Sequence, residues 1–282
     1  MKCAWDKFLN LLPIHLRQKV NNYYEQMVLE VRLRLDRSVE ITTAKGSVWL
    51  DHIVNQDDLT FCVNIASRYS PWSASTAADG YITAPGGHRV GICGQAVTEG
   101  GLMHGIRTVT SVCIRTARDM EGIAKQAAQL GGSLLILGRP GSGKTTLLRD
   151  LIRQLSIRNN VAVVDEREEL YPIYNGRCCF ELGKKTDVLY GCKKPVGIET
   201  VLRTMNPDYI AVDEITASAD CDGLLHAGWC GVKLLATAHA QCEQDLLRRS
   251  VYKPLVESGL FSHVIILQAN KTWRVERMSV CC

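Results

Sequence analysis

A chain of 282 residues with 46% hydrophobic and 22% charged side chains is long enough for one large domain or two smaller ones, and its composition is that of a soluble fold, not a disordered or fibrous one. A net charge of +4 over that length is too weak to argue for nucleic acid by itself. There is no run of 18 apolar residues to cross a bilayer, and the opening MKCAWDKFLNLLP lacks the apolar stretch of a secretory signal.

Twelve cysteines lie scattered from Cys3 to Cys282 without a CxxC pair, which argues against a zinc ribbon or a thioredoxin-like site. The adjacent pairs Cys178/Cys179 and Cys281/Cys282 lack chelating spacing. Reduced thiols in an intracellular protein are the simplest account.

Along the chain, residues 28–35 (VLEVRLRL) alternate apolar and basic residues, the period of a half-buried strand. Short strands are expected at 39–43 and 47–50, around a turn at Lys45 and Gly46. The glycine-rich stretch 80–94 (GYITAPGGHRVGICG) suits a hairpin with His88 and Arg89 at its tip. These elements predict a smaller α+β domain over residues 1–117.

Residues 118–282 read differently. Asp119 is a candidate N-cap for a helix through Leu130, closed by Gly131 and Gly132. Residues 133–137 (SLLIL) form the short apolar run of a buried parallel strand. A helix is expected over 144–155, with Leu147, Leu148, Leu151, Ile152 and Leu155 on one face. Further strands are expected at 161–165, 209–212, 233–238 and 264–268. Strand and helix alternate, which predicts an α/β domain with a mostly parallel sheet covered on both faces.

Between the 133–137 strand and its helix stands Gly138-Arg139-Pro140-Gly141-Ser142-Gly143-Lys144-Thr145, followed by Thr146. This fits GxxxxGK[ST], a loop for nucleotide phosphates. Glycines let the backbone curl so that successive N–H groups face phosphate oxygens, and the helix N-terminus adds its dipole. Lys144 is placed to reach the β- and γ-phosphates of ATP, and the Thr145 hydroxyl to ligate Mg²⁺. The strand at 209–212 ends in Asp213 and Glu214: Asp213 suits the metal and Glu214 the attacking water. The 161–165 strand likewise ends in Asp165 and Glu166, placed near the γ-phosphate or its water; the alternative is a surface acidic pair matched with Arg167. Glu214 is the first choice of base and Glu166 the second. The 233–238 strand brings Thr237 and His239, each able to bond a phosphate oxygen or the lytic water. Arg203, Arg89 and Arg107 are candidate arginine fingers.

In this order the motifs resemble the secretion-type, RecA-like ATPases that drive type II, type IV and pilus machines, where the segments correspond to Walker A, an Asp box, Walker B and a His box. Within that superfamily the chain is most similar to the stage III AA proteins of endospore-forming bacteria. The resemblance rests on EVRLRLDRSVEI (30–41), GYITAPGGHRVGICGQAV (80–97), GRPGSGKTTLLRDLIRQL (138–155), TDVLYGCKKP (186–195) and VLRTMNPDYIAVDEI (201–215). It departs at Ser38, where the family leads one to expect proline. A tetracysteine zinc module and an appended nucleic-acid-binding module are both absent.

The resemblance implies an ATPase that powers or assembles a channel between mother cell and forespore. It would work as a hexameric homo-oligomeric ring through the N-terminal part. Its place would be cytoplasmic, peripheral at the mother-cell face of the membrane, with membrane-embedded channel proteins of the same sporulation complex as partners. Two other readings stay open: a RecA-like nucleic-acid motor, which the aromatic content of 6% argues against, and a scaffold that binds ATP only to assemble. No LSGGQ-like or NKxD segment points to an ABC transporter or a GTPase.

Overall fold

The computed structural model describes residues 2–68, 80–268 and 272–278; Cys281 and Cys282 lie outside them. The ten cysteines among the described residues are free thiols. The chain divides into two units, residues 1–119 with 173–179, and residues 120–172 with 180–282.

In the first unit, α1 (Trp5–Asn10) and α2 (Ile14–Asn21) lead into a six-stranded sheet. Its strands are β1 (Val28–Arg34), β2 (Ser38–Thr43), β3 (Gly46–Ile53), β4 (Tyr81–Thr83), β5 (Arg89–Glu99) and β6 (Leu102–Arg115). They pair antiparallel in the order β3-β2-β1-β6-β5-β4. The alternation in β1 settles its faces: Val31 and Leu33 are buried, while Arg32 and Arg34 pair with Glu30 and Glu40 at 2.6 and 2.7 Å. One helix, α3 (Gln56–Ser67), starts on a capping box in which Asn55 and Asp58 satisfy each other's backbone N–H.

The 80–94 stretch does form a hairpin, β4 to β5, through a 3₁₀ turn at Pro85–Gly87. His88, however, is fully buried instead of standing at an exposed tip. Its Nε2 meets the Ala4 carbonyl at 2.9 Å and its Nδ1 accepts the Ala117 N–H at 3.0 Å. Desolvation pushes its pKa down to about 4, so the ring is a neutral staple. Arg89 lies over the Tyr81 ring, 3.7 Å from its centroid.

The second unit is built on a seven-stranded sheet. Its strands are β7 (Leu134–Leu137), β8 (Val161–Asp165), β11 (Thr186–Tyr190), β12 (Tyr209–Val212), β13 (Lys233–Ala238), β14 (His263–Leu267) and β15 (Trp273–Arg277). The remaining strands, β9 (Ile173–Tyr174) and β10 (Arg177–Cys178), form a separate hairpin. Spatial order is β11-β8-β12-β13-β7-β14-β15, all parallel except the antiparallel edge strand β15.

Successive residues of the central strands point to opposite faces, and both faces are covered. Leu135 and Leu137 belong to one core with Val164, Ile210 and Val212; Leu134 and Ile136 belong to the other with Val161, Val163 and Ala211. This is why the strands read as unbroken apolar runs. Helix α4 (Lys144–Leu155) seals the second core with Leu147, Leu148, Leu151, Ile152 and Leu155. At ~2 kcal/mol per buried aliphatic side chain, that face contributes about 10 kcal/mol before entropy is charged. On the other face lie α5 (Lys194–Thr204) and α6 (Ser218–Trp229). Two short helices, α7 (Glu243–Leu247) and α8 (Lys253–Glu257), precede β14.

The helix expected over 119–130 is not formed. Asp119 instead pairs with Lys2 in an isolated β-bridge, and only Ala127–Gln129 makes a 3₁₀ turn. The buried carboxylate of Asp150 accepts the N–H groups of Gly122 and Ala124 at 3.0 and 2.7 Å. Those side-chain bonds tie down the segment's first turn where a continuous helix would have to start.

Candidate functional site

In a parallel sheet the loops after the strands share one edge, and β8, β12, β13 and β7 are consecutive neighbours. The predicted residues leave the C-terminal ends of these four strands. After β7 the chain curls through Gly141 and Gly143, whose φ angles of 73° and 103° disfavour any residue with a Cβ. Gly138 is required for a different reason: a Cβ there would meet the Ser142 Oγ at 2.4 Å. The turn delivers the first N–H groups of α4, which have no intrahelical acceptor, to its concave side.

Lys144, 7% exposed, places its ammonium 3.0 Å from the Gly138 carbonyl, 3.1 Å from the Arg139 carbonyl and 3.0 Å from His239 Nδ1. Three acceptors use all three of its hydrogens. Burial lowers its pKa, against the opposing pull of Asp213 and Glu214. His239 Nδ1 accepts from the lysine, so the hydrogen-bond count assigns the ring proton to Nε2, which lies 2.9 Å from Glu214 Oε1. The other Glu214 oxygen faces Arg167 Nη1 at 3.4 Å. A continuous chain thus runs Lys144–His239–Glu214–Arg167.

A second chain is centred on Asp213. The Thr145 hydroxyl donates to Oδ2 and the Thr237 hydroxyl to Oδ1, both at 2.6 Å. Register explains the second contact, because Val212 faces Ala236 across β12 and β13 and the next residue on each strand is Asp213 or Thr237. Desolvation raises the Asp213 carboxyl, and the two hydroxyls pull it back down. Thr237 also accepts the Glu214 N–H at 2.8 Å, holding Glu214 at a left-handed φ of 52°. The Thr237 hydroxyl thus donates to one of these two acidic residues and accepts the backbone N–H of the other.

The β8 pair behaves otherwise. Asp165 is buried and accepts the N–H groups of Glu169, Leu170 and Tyr171 at 3.0, 2.9 and 2.7 Å. Burial pushes its carboxyl up to about 6. Glu166 pairs with the buried ammonium of Lys194 at 2.7 Å, and Lys194 reaches Asp220 at 3.7 Å. Arg167, the alternative surface partner for these acids, faces Glu214 at 3.4 Å. Arg203 lies on α5, 75% exposed and paired with Glu199; Arg107 is exposed on β6. Neither joins the two chains of contacts, and Arg139 bonds the Gln241 side chain at 3.0 Å. Lys194 escaped sequence reasoning, although it stands in the quoted TDVLYGCKKP stretch, because no pattern links it to an acid 28 residues away.

Whether this pocket suits a polyphosphate with a divalent cation can be tested on its own atoms. The Ser142 Oγ is buried and makes no hydrogen bond, a polar atom inside the curl that lacks an acceptor. Thr145 and Asp213 present two oxygens from different elements within 2.6 Å, a donor set that suits a hard cation. The residues fit.

Comparison with known proteins agrees with this architecture. The chain is 34% identical to stage III sporulation protein AA of Bacillus subtilis over 94% of its own length and 92% of that protein's. Its fold is similar to the ATPase DotB of Legionella pneumophila, at 13% identity, TM-score 0.61, and coverage of 94% of this chain and 80% of that one. It is also similar to the pilus retraction motor PilT solved with bound ADP, at 13% identity, TM-score 0.56, and coverage of 88% and 76%. These likenesses place the second unit among the RecA-like α/β folds with a mostly parallel sheet, preceded by a smaller α+β unit. The family described as "Sporulation stage III, protein AA" matches residues 5–277, and the chain belongs to it.

Proposed function

We propose that the chain is an ATPase that powers or assembles a sporulation channel between mother cell and forespore. The observation that supports this best is the pair of contact chains joining the glycine loop to the ends of β12 and β13. One holds Lys144, His239 and Glu214 together; the other holds Thr145, Asp213 and Thr237. In this reading Gly138, Arg139, Pro140, Gly141, Ser142, Gly143, Lys144, Thr145 and Thr146 hold the phosphates of ATP, and Thr145 with Asp213 holds Mg²⁺. The metal would supply charge neutralisation for the transferring phosphoryl group.

Within the chain's own residues, Lys144 gives up an internal acceptor to bind phosphate, and Glu214 orients and deprotonates water. Until the lysine turns to phosphate, His239 holds Glu214 in place through its Nε2 proton. Glu166 is the weaker candidate base, because its carboxylate is held by the buried Lys194 ammonium at 2.7 Å. Arg203 would act as a finger across a subunit boundary after leaving Glu199. No helix among the described residues is long and apolar enough to cross a membrane. We assign the protein to the cytoplasmic, mother-cell face of the membrane, as a hexameric ring formed through its N-terminal unit. Its partners there would be the embedded proteins of the same complex.

Phosphate release by the purified chain with ATP and Mg²⁺ tests the proposal. Lys144→Ala is expected to lower turnover at least ~100-fold, and Glu214→Gln by ~10²–10⁴ with nucleotide binding retained. If no assembled state hydrolyses ATP and Lys144→Ala matches wild type, the reading is wrong.

A further inference from the structure

Three side chains of the first unit converge without any part in the candidate site described above. His15 comes from the first turn of α2, His52 from the edge strand β3, and Asp58 from the capping box of α3. The two imidazole Nε2 atoms are 3.3 Å apart. His52 Nε2 is 2.8 Å from Asp58 Oδ2 and His15 Nε2 is 3.2 Å from Asp58 Oδ1.

Hydrogen bonding accounts poorly for this arrangement. If each histidine donates its Nε2 proton to its own oxygen of Asp58, the two N–H groups abut at 3.3 Å and neither can accept from the other. If one ring accepts instead, it forfeits its bond to the carboxylate. A metal ion removes the conflict by replacing both protons. Ligand atoms held at about 2.0–2.1 Å around a tetrahedral ion stand ~3.3 Å apart, close to the 3.3 Å between the two Nε2 atoms and the 3.2 Å from His15 Nε2 to Asp58 Oδ1.

The surroundings also resemble a ligand's supporting shell. Asp58 is only 3% exposed, and its Oδ2 takes the Asn55 N–H at 3.1 Å while its own N–H goes to Asn55 Oδ1 at 2.9 Å. The carboxylate is thereby fixed in direction before anything binds. His15 is half exposed, which leaves an open approach for the ion and a water in a fourth position. Two imidazoles and one carboxylate are a donor set that suits zinc and its borderline neighbours better than calcium or magnesium.

We propose that His15, His52 and Asp58 form a binding site for one divalent transition-metal ion of the zinc class, clamping α2 to the edge strand β3. The site shares no residue with the ATPase reading, and either can fail without the other.

The test uses the full chain with its cysteines reduced and Co²⁺ as a visible probe of Zn²⁺. Wild type is expected to bind Co²⁺ with d–d bands of a nitrogen and oxygen set, without the near-ultraviolet thiolate band that cysteine ligation would add. Zn²⁺ should displace it and raise the melting temperature. His15→Ala, at a half-exposed position, is expected to weaken binding at least ~100-fold while the far-ultraviolet circular dichroism stays that of wild type, and His52→Ala likewise. Equal Co²⁺ or Zn²⁺ binding by wild type and His15→Ala, a thiolate spectrum alone, or no binding by wild type overturns the proposal.

Discussion

Replacing Thr237 by valine keeps the shape of a fully buried side chain and deletes one oxygen. That oxygen has two duties, donating to Asp213 Oδ1 at 2.6 Å and accepting the Glu214 N–H at 2.8 Å. A hydrogen bond to a charged group contributes about 1.5–3 kcal/mol, and an orphaned N–H costs about 1–3 kcal/mol. Solvent reaches the partly exposed Glu214, so the lower half of that second range applies. The sum predicts a loss of about 2.5–5 kcal/mol in unfolding free energy, measured by urea titration at neutral pH. Thr237→Ser should recover most of it. The same deletion removes one of the two hydroxyls that hold the Asp213 carboxyl down against desolvation, so its pKa rises further. If Asp213 holds Mg²⁺, the concentration needed for half-maximal turnover should therefore rise. A Thr237→Val protein within ~0.5 kcal/mol of wild type, with unchanged Mg²⁺ dependence, refutes the account of this network.

Two other substitutions separate stability from ligand binding. Ser142→Ala removes a buried hydroxyl without a partner, so unfolding free energy should rise by about 1 kcal/mol while nucleotide affinity falls; titration calorimetry showing unchanged affinity would deny the hydroxyl a role. Asp165 has a carboxyl raised from 3.8 to about 6, so its stabilising contribution is complete below pH ~4 and is lost as pH climbs through ~6, up to about 3 kcal/mol. Wild type should then lose more stability between pH 5 and 8 than Asp165→Asn, and parallel losses in urea titrations would count against it.

The parallel core was legible because burial on both faces leaves a plain signature. β8, β12 and β13 could be expected residue for residue, and α4 announced itself through a glycine loop before it and five aliphatic residues on one face. The strands β11 and β15 escaped notice because they lie at or near the sheet's edges, where side chains such as Asp187 and Arg274 meet solvent and break the apolar run. Residues 119–130 misled for another reason. Their local composition favours a helix, but the decisive acceptor, Asp150, is supplied from 26 and 28 residues away. His88 failed likewise: a glycine-flanked histidine reads as a loop tip until Ala4 and Ala117 close over it. Nor does spacing betray His15, His52 and Asp58, which the fold brings together from α2, β3 and α3.

The site residues themselves were legible as types at strand ends; their pairing was not. Pairing is what links the glycine loop to the candidate base. All three Lys144 hydrogens are engaged, so the ammonium cannot meet an anionic ligand without surrendering an internal acceptor. Of the three, His239 Nδ1 is the one that leads onward, since the opposite nitrogen of the same ring holds Glu214. The loop carbonyls lead nowhere further. Under the proposed reading, a lysine that turns from His239 toward phosphate frees the ring to shift and Glu214 with it. Glu214 meanwhile keeps its N–H on Thr237 and its second oxygen near Arg167. The backbone stays anchored while the carboxylate is released on one side, so filling the loop and arming the base become the same event.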